Sequence, residues 1–345
     1  MALTTFATND NETKKVWDEK LFRDVEKALY FKKFMGSSAE SIVHVKSQFE
    51  KEQGDRVRFA LRMRLAGAGQ TGSTVLEDNE EALSTHTCDL TLEQYRHAVR
   101  FRRGIDEQRA MFKIDPEARD AIKTWGEEKV DQLCFDALFD STPSKVFYRD
   151  GTTGATSSTT TAATAKSALR AANSKISTNF ISAVRTWAKT GGTRSGDQTP
   201  LRPIRVEGQD HYILLAHPDA LYDLKIDSTY QSFVREAAER GKSNPLFTGA
   251  VAVIDGVVIH EHENCPIGTD GGAGAEAWSQ AALLGAQSLV FAWGRKPRTI
   301  MKDFDYENQV GYAWDMVMGV TRPEFNSKDY GSMRMYLART NVSGL

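Results

Sequence analysis

The chain has 345 residues, 40% apolar and 26% charged, with 44 Lys and Arg against 46 Asp and Glu and a formal net charge of −2. That length supplies core for one large domain or two ordinary ones, and the charge balance excludes a bulk attraction to nucleic acid or membrane. No run approaches the roughly 18 apolar residues that span a bilayer, and the first fifteen residues lack the apolar core of a signal peptide.

Residues 1–14 are polar. Trp17, Leu21, Val25, Ala28 and Leu29 then share one stripe with Lys and Glu opposite, which predicts an amphipathic helix. Phe31, Phe34 and Met35 carry apolar character past its end. Residues 1–54 read as an N-terminal arm, whose Trp17 and Leu21 would dock on another subunit or on the arm's own domain.

Asp55 to Leu65 reads DRVRFALRMRL. Arg56, Arg58, Arg62 and Arg64 fall on one parity and Val57, Phe59, Leu61, Met63 and Leu65 on the other. Alternation of this kind predicts a strand with a cationic face and an apolar face, about 36 Å long. A second extended stretch, Ser84 to Phe101, follows a Gly-rich and then acidic link (Glu77, Asp78, Glu80, Glu81). Its apolar parity changes near Glu93-Gln94, which predicts a β-bulge. A two-stranded ribbon is marginal alone, so residues 55–103 need a surface to lie on, and another copy of the chain is the candidate. The charged groups read as complementary docking between subunits; solvated faces explain them equally well. AGAGQTG at Ala66–Gly72 lacks the Gly-Lys-Ser/Thr ending of a phosphate loop.

Asp115, Pro116 and Glu117 open the strongest helix, and Ala118, Ile122, Trp125, Val130, Leu133, Ala137 and Leu138 keep helical spacing to about Asp140. Gly126 is a weak point in it, worth about 1 kcal/mol against Ala. Residues 151–165 are low in complexity and read as a loop. Ile176, Phe180, Val184 and Trp187 mark the next helix. A loop at Thr190–Pro203 leads to a strand at His211–Ala216, a helix opened by His217-Pro218-Asp219, and another helix from Thr229 to Arg240. Asp255-Gly256 between two apolar runs is a strong hairpin signal. Ala313 to Ala338 carries strand-like runs, and the whole is α+β.

Chemistry is sparse. His260 and His262 would share one face of a strand, but HExxH spacing and a second ligand cluster are missing. Gly268–Gly274 (GTDGGAG) lacks the G-x-G-x-x-G context and reads as a loop. Cys88, Cys134 and Cys265 are widely spaced without CxxC and fit idle thiols of a reducing compartment. No catalytic, cofactor or metal site is predicted.

The order of arm, extended hairpin, long helix, α+β unit and returning strands resembles the major capsid proteins of tailed bacteriophages, which share the Hong Kong 97-type fold. LFTGAVAVIDGVVIHEHENCP (Leu246–Pro266), AALLGAQSLVFAWG (Ala281–Gly294) and FDYENQVGYAWDMVMGVTRPEFNSKDYG (Phe304–Gly331) are similar to the branch in podoviruses related to coliphage N-four. The resemblance implies a shell subunit: an arm over 1–54, an extended loop over 55–103, a peripheral domain over 104–168 with a spine helix at 115–140, an axial domain over 169–292, and C-terminal strands over 293–345 that rejoin the peripheral domain.

It further implies hexamers and pentamers of a virion shell around double-stranded DNA, assembled in the bacterial cytoplasm. The expected partners are copies of the chain, a separate scaffolding protein, a portal, and packaged DNA held by weak non-specific contacts; a decoration protein is one source of shell strength. Arg56, Arg58, Arg62 and Arg64 would meet acidic groups of an adjacent copy. The founding member welds its shell through a lysine in the extended loop. This chain has no Lys between Asp55 and Asp89, so no such cross-link is expected. An encapsulin-type compartment on the same fold, and a metal-dependent hydrolase using His260 and His262, are the competing readings.

Overall fold

The computed structural model describes residues 29–46, 56–63, 65, 67, 69–72, 76–77, 79–104, 108–110, 113–139, 146–171, 173–191, 199–206, 208–237, 250–272 and 276–340. Trp17, Leu21, Arg64 and Asp78 lie outside them. The chain forms two compact units, one holding Gln94–Lys129 and Pro297–Met316, the other Tyr30–Glu93, Val130–Lys296 and Val317–Leu345.

In the larger unit a nine-stranded sheet carries the main core. Along it run Ala250–Ile254, Val257–Glu261, Gln209–Ala216, Glu276–Leu284, Ser332–Ala338, Val146–Arg149 and Thr156–Thr159, with Ile204–Val206 and Ile267–Gly271 paired at the side. Tyr212–Ala216 and Trp278–Leu284 are buried throughout, as central strands covered on both faces are. Thr178–Thr190 covers one face, where Phe180, Ile181 and Val184 meet Tyr212, Leu214, Leu283 and Met335. That helix starts because Ser177 accepts the Phe180 amide and stops at Gly191 in the left-handed region.

The hairpin predicted at Asp255-Gly256 forms, with φ of 49° and 73°, as a tight I′-like turn needs. Pro218–Ile226 is opened by His217, whose side chain accepts the Asp219 amide. Two segments read as loops are strands. Thr156–Thr159 pairs with Val146–Arg149, and Ile267–Gly271 pairs with Glu276–Leu284. Neither alternates in hydrophobicity, so pairing alone makes them strands.

The smaller unit packs one face of a sheet on the first part of the spine helix, Ile114–Phe139. Ala118 and Ile122 meet Val310 and Tyr312, with Val99, Phe101 and Trp314 beside them. The Tyr312 hydroxyl donates to Asp115 at 2.5 Å and accepts from Arg119 at 2.7 Å, tying the helix start to the sheet.

The second extended stretch does not bulge. It divides at Leu92 into Thr85–Thr91, paired with Arg56–Arg62, and Glu93–Arg102, an edge strand of a different, five-stranded sheet. The parity change marks the exchange of one sheet for another.

Candidate assembly surface

The ribbon is Arg56–Arg62 against Thr85–Thr91 in antiparallel register. Its inner parity is buried on the chain's own body: Val57, Phe59 and Leu90 pack with Val290, Ala292 and Phe325, and Leu61, Cys88, Leu92 and Tyr330 close the edges. The floor is shaped for this contact, since a Cβ on Gly319 would stand 2.3 Å from the Thr91 carbonyl oxygen. Lys46 lies 4.5 Å over the Phe59 ring. The surface that the apolar face was expected to need is therefore supplied in cis, at the ribbon's base.

The outer parity is exposed. Arg56, Arg58 and Arg62 stand on it opposite Thr91, Asp89 and Thr85. Arg58 forks onto Asp89, Nε to Oδ1 at 2.6 Å and Nη2 to Oδ2 at 2.8 Å. This hydrogen-bonded pair holds the Asp89 carboxyl below the usual carboxylate range and raises Arg58, with Arg56 adding a smaller pull on Asp89. No described carboxylate pairs with Arg62.

Beyond Arg62 the ladder closes with Met63 N–H on the Ser84 carbonyl, 2.9 Å. Glu77, Glu80 and Glu81 are exposed in the link that follows, and Glu81 accepts the Gly67 amide at 2.7 Å. Leu65, Leu76 and Leu83, each about 60% exposed, share the same segment. Covering any of these leucines would remove apolar surface from water. Their lone positions in a polar link were visible in the sequence without marking them as contacts.

Where the arm meets the body, Phe31 is fully buried and Asp131 accepts the Tyr30 and Phe31 amides. His260 and His262 point into this junction. His262 lies 4.5 Å from the Tyr30 ring and 4.4 Å from Phe135, and His260 lies 5.4 Å from Phe34. The Lys33 ammonium sits 3.3 Å from His260 Nδ1, a cation already beside the ring. Among the described residues no three His, Cys, Asp or Glu side chains gather as a cation site. Burial pushes Cys134, Cys265 and the Tyr30 hydroxyl up, which keeps them protonated. The two histidines thus read as packing for the junction. The signal for Asp131 was an acid within the apolar stripe of the spine helix, next to Val130 and Cys134.

Comparison with known proteins agrees along the full length. A family model described as phage capsid protein matches residues 5–338. The major capsid protein of Pseudomonas phage KPP25 is 29% identical, over 97% of each chain. The capsid of Ralstonia phage GP4 superposes with a TM-score of 0.82 at 24% identity, covering 99% of both chains. The cyanophage Pam1 capsid superposes at 0.80 and 20% identity, covering 99% of this chain and 100% of that one.

Proposed function

The chain belongs to the phage capsid protein family, and from that premise we propose how this subunit builds its shell. It is a major capsid protein with the Hong Kong 97-type fold, a structural component of the virion that associates with its own copies. Copies join as hexamers and pentamers into a closed icosahedral shell around double-stranded DNA, in the cytoplasm of the bacterial host and with a scaffolding protein and a portal. The subunit works by position and performs no catalysis.

Within each copy, residues 104–168 serve as the peripheral domain around the spine helix, 169–292 as the axial domain, and 293–345 as returning strands. The ribbon, expected over 55–103 and paired over Arg56–Arg62 and Thr85–Thr91, reaches a neighbour. Its outer row, Arg56, Arg58 and Arg62, meets acidic side chains there, with Arg64 of the same sequence alternation joining them, and the link with Glu77, Asp78, Glu80 and Glu81 meets cations. Trp17 and Leu21 anchor the arm across the same boundary. The observation that carries this reading is the division of the ribbon's faces. The apolar face is already spent on the chain's own body, so the charged outer face and the leucine-bearing link are left to meet other copies.

Light scattering of the purified protein with its scaffold, followed by negative-stain imaging, tests it. Megadalton particles of regular outline are expected. Replacing the four arginines by Ser should lower particle yield while the subunit keeps its thermal midpoint; an undiminished yield would remove the ribbon from the assembly contacts.

A further inference from the structure

In the smaller unit the sheet face turned away from the spine helix is strongly cationic. Val99, Phe101, Val310 and Tyr312 point to the helix, so alternation sends Arg96, Arg100 and Arg102 the other way. On the neighbouring hairpin Arg298 and Lys302 share that face. All five cations are exposed.

Contacts fix this assignment. Arg100 stacks 4.2 Å over the Phe304 ring, and the Lys302 ammonium lies 4.9 Å from the same ring. Arg298 Nε and Nη2 reach Asp315 Oδ2 at 3.1 and 3.0 Å, and Gln94 Nε2 donates to its Oδ1 at 2.5 Å. Asp315, its side chain 2% exposed, is spent on Arg298 and Gln94, and the exposed Asp305 and Glu307 lie in the turn that closes the same hairpin. The five exposed cations outnumber these acids.

We propose that this face is a docking surface for the phosphate backbone of duplex DNA. The inference rests on the shell reading, in which the subunit encloses DNA. Protein interfaces close around an apolar, aromatic core; on this face the Phe304 ring lies under two cations, so that the face offers charge more than apolar area. The dimensions favour a duplex over an acidic peptide. From Arg96 to Arg102 the row runs about 20 Å, along which a duplex presents roughly a dozen phosphate charges. Residues on strands two apart lie about 10 Å from one another, comparable with the spacing between backbones across a groove of ~6 to 12 Å. A single extended peptide would engage one row and leave the other bare. The contacts read charge and shape, with no base specificity.

The test uses the full chain in soluble, unassembled form with a random 30-base-pair duplex as probe, followed by fluorescence anisotropy across a salt series. The logarithm of affinity should fall linearly with the logarithm of salt, at about 0.9 per phosphate contact. Replacing Arg96, Arg100 and Lys302 by Gln should reduce that slope by about 2 to 3 and weaken binding about tenfold or more at low salt. Arg96→Lys with Arg100→Lys, which keeps the charge, should retain the slope. An unchanged slope in the Gln variant overturns the proposal. Loss of particles with an unchanged slope also overturns it, and assigns the face to the acidic link of a second copy. Particle formation is scored separately by light scattering, so a wild-type chain that never assembles sinks the shell reading without touching the slope.

Discussion

Gly126 lies against the indole of Trp314, so close that a Cβ on it would stand 2.6 Å from two ring atoms. Helix propensity alone predicts that Gly126→Ala stabilises the spine helix by about 1 kcal/mol. Overpacking a rigid ring costs about 1–3 kcal/mol, and the contact should win. We expect Gly126→Ala to lower the thermal midpoint of the subunit, and Trp314→Phe in the same chain to recover part of the loss. A raised midpoint in the single variant would show that the ring yields freely.

Arg58 and Asp89 give a pH signature. The Asp89 carboxyl is held low in the folded chain by its hydrogen bond to Arg58. A depressed carboxyl contributes stability above its unfolded pKa and loses it as pH falls through the lower folded value. The pair should therefore persist at neutral pH and release only in acid below the ordinary aspartate range. An NMR titration of Asp89 should move up toward the ordinary value in Arg58→Ala, with Arg56 still holding part of the shift; an identical midpoint in both chains would refute the coupling.

The two faces of the ribbon should respond oppositely to truncation. Phe59→Ala removes a ring buried on Val290 and Phe325 and should cost about 3–5 kcal/mol. Proteolysis within 56–91 should then precede global unfolding. Arg62→Ala, on the exposed face, should change subunit stability by no more than about 0.5 kcal/mol. Equal sensitivity of the two variants would mean the ribbon is not seated as described.

At the arm junction, Asp131→Ala leaves the Tyr30 and Phe31 amides without their acceptor. Orphaning such groups costs about 1–3 kcal/mol. Hydrogen exchange at these two amides should accelerate well beyond that of Tyr212 in the central sheet. Unchanged protection would show that Phe31 packing alone holds the turn.

Because no lysine occurs between Asp55 and Asp89, shells boiled in denaturant and reductant should run as 38.4 kDa monomers. A ladder of multimers would reveal a covalent weld made from other residues.

Elements that depend on spacing within one segment were legible in the sequence. The long helix, expected over 115–140, spans Ile114–Phe139, because helical periodicity is local; Asp115, expected as its N-cap, lies instead within the first turn and accepts from the Tyr312 hydroxyl. The alternation of Arg56–Arg62 and the Asp255-Gly256 turn are local in the same sense, the first through the two-residue period of a strand and the second through the φ preference of glycine. The family was legible too, since the order of elements is itself carried by the chain.

What lies opposite a segment was decided by the tertiary structure. The parity change after Leu92 looked like a bulge, because one chain cannot display that its next residues join another sheet. The ribbon's floor comes from Val290 and Phe325, more than 190 residues from Leu90 in sequence, and no pattern within 55–65 encodes so distant a partner. Thr156–Thr159 and Ile267–Gly271 are strands through their neighbours' open edges, with no hydrophobic signal of their own. Gly126 changes meaning from weak point to fitted contact only when Trp314 is brought over it. Periodicity is a property of one segment and contact a property of two, and only folding brings the second segment to the first.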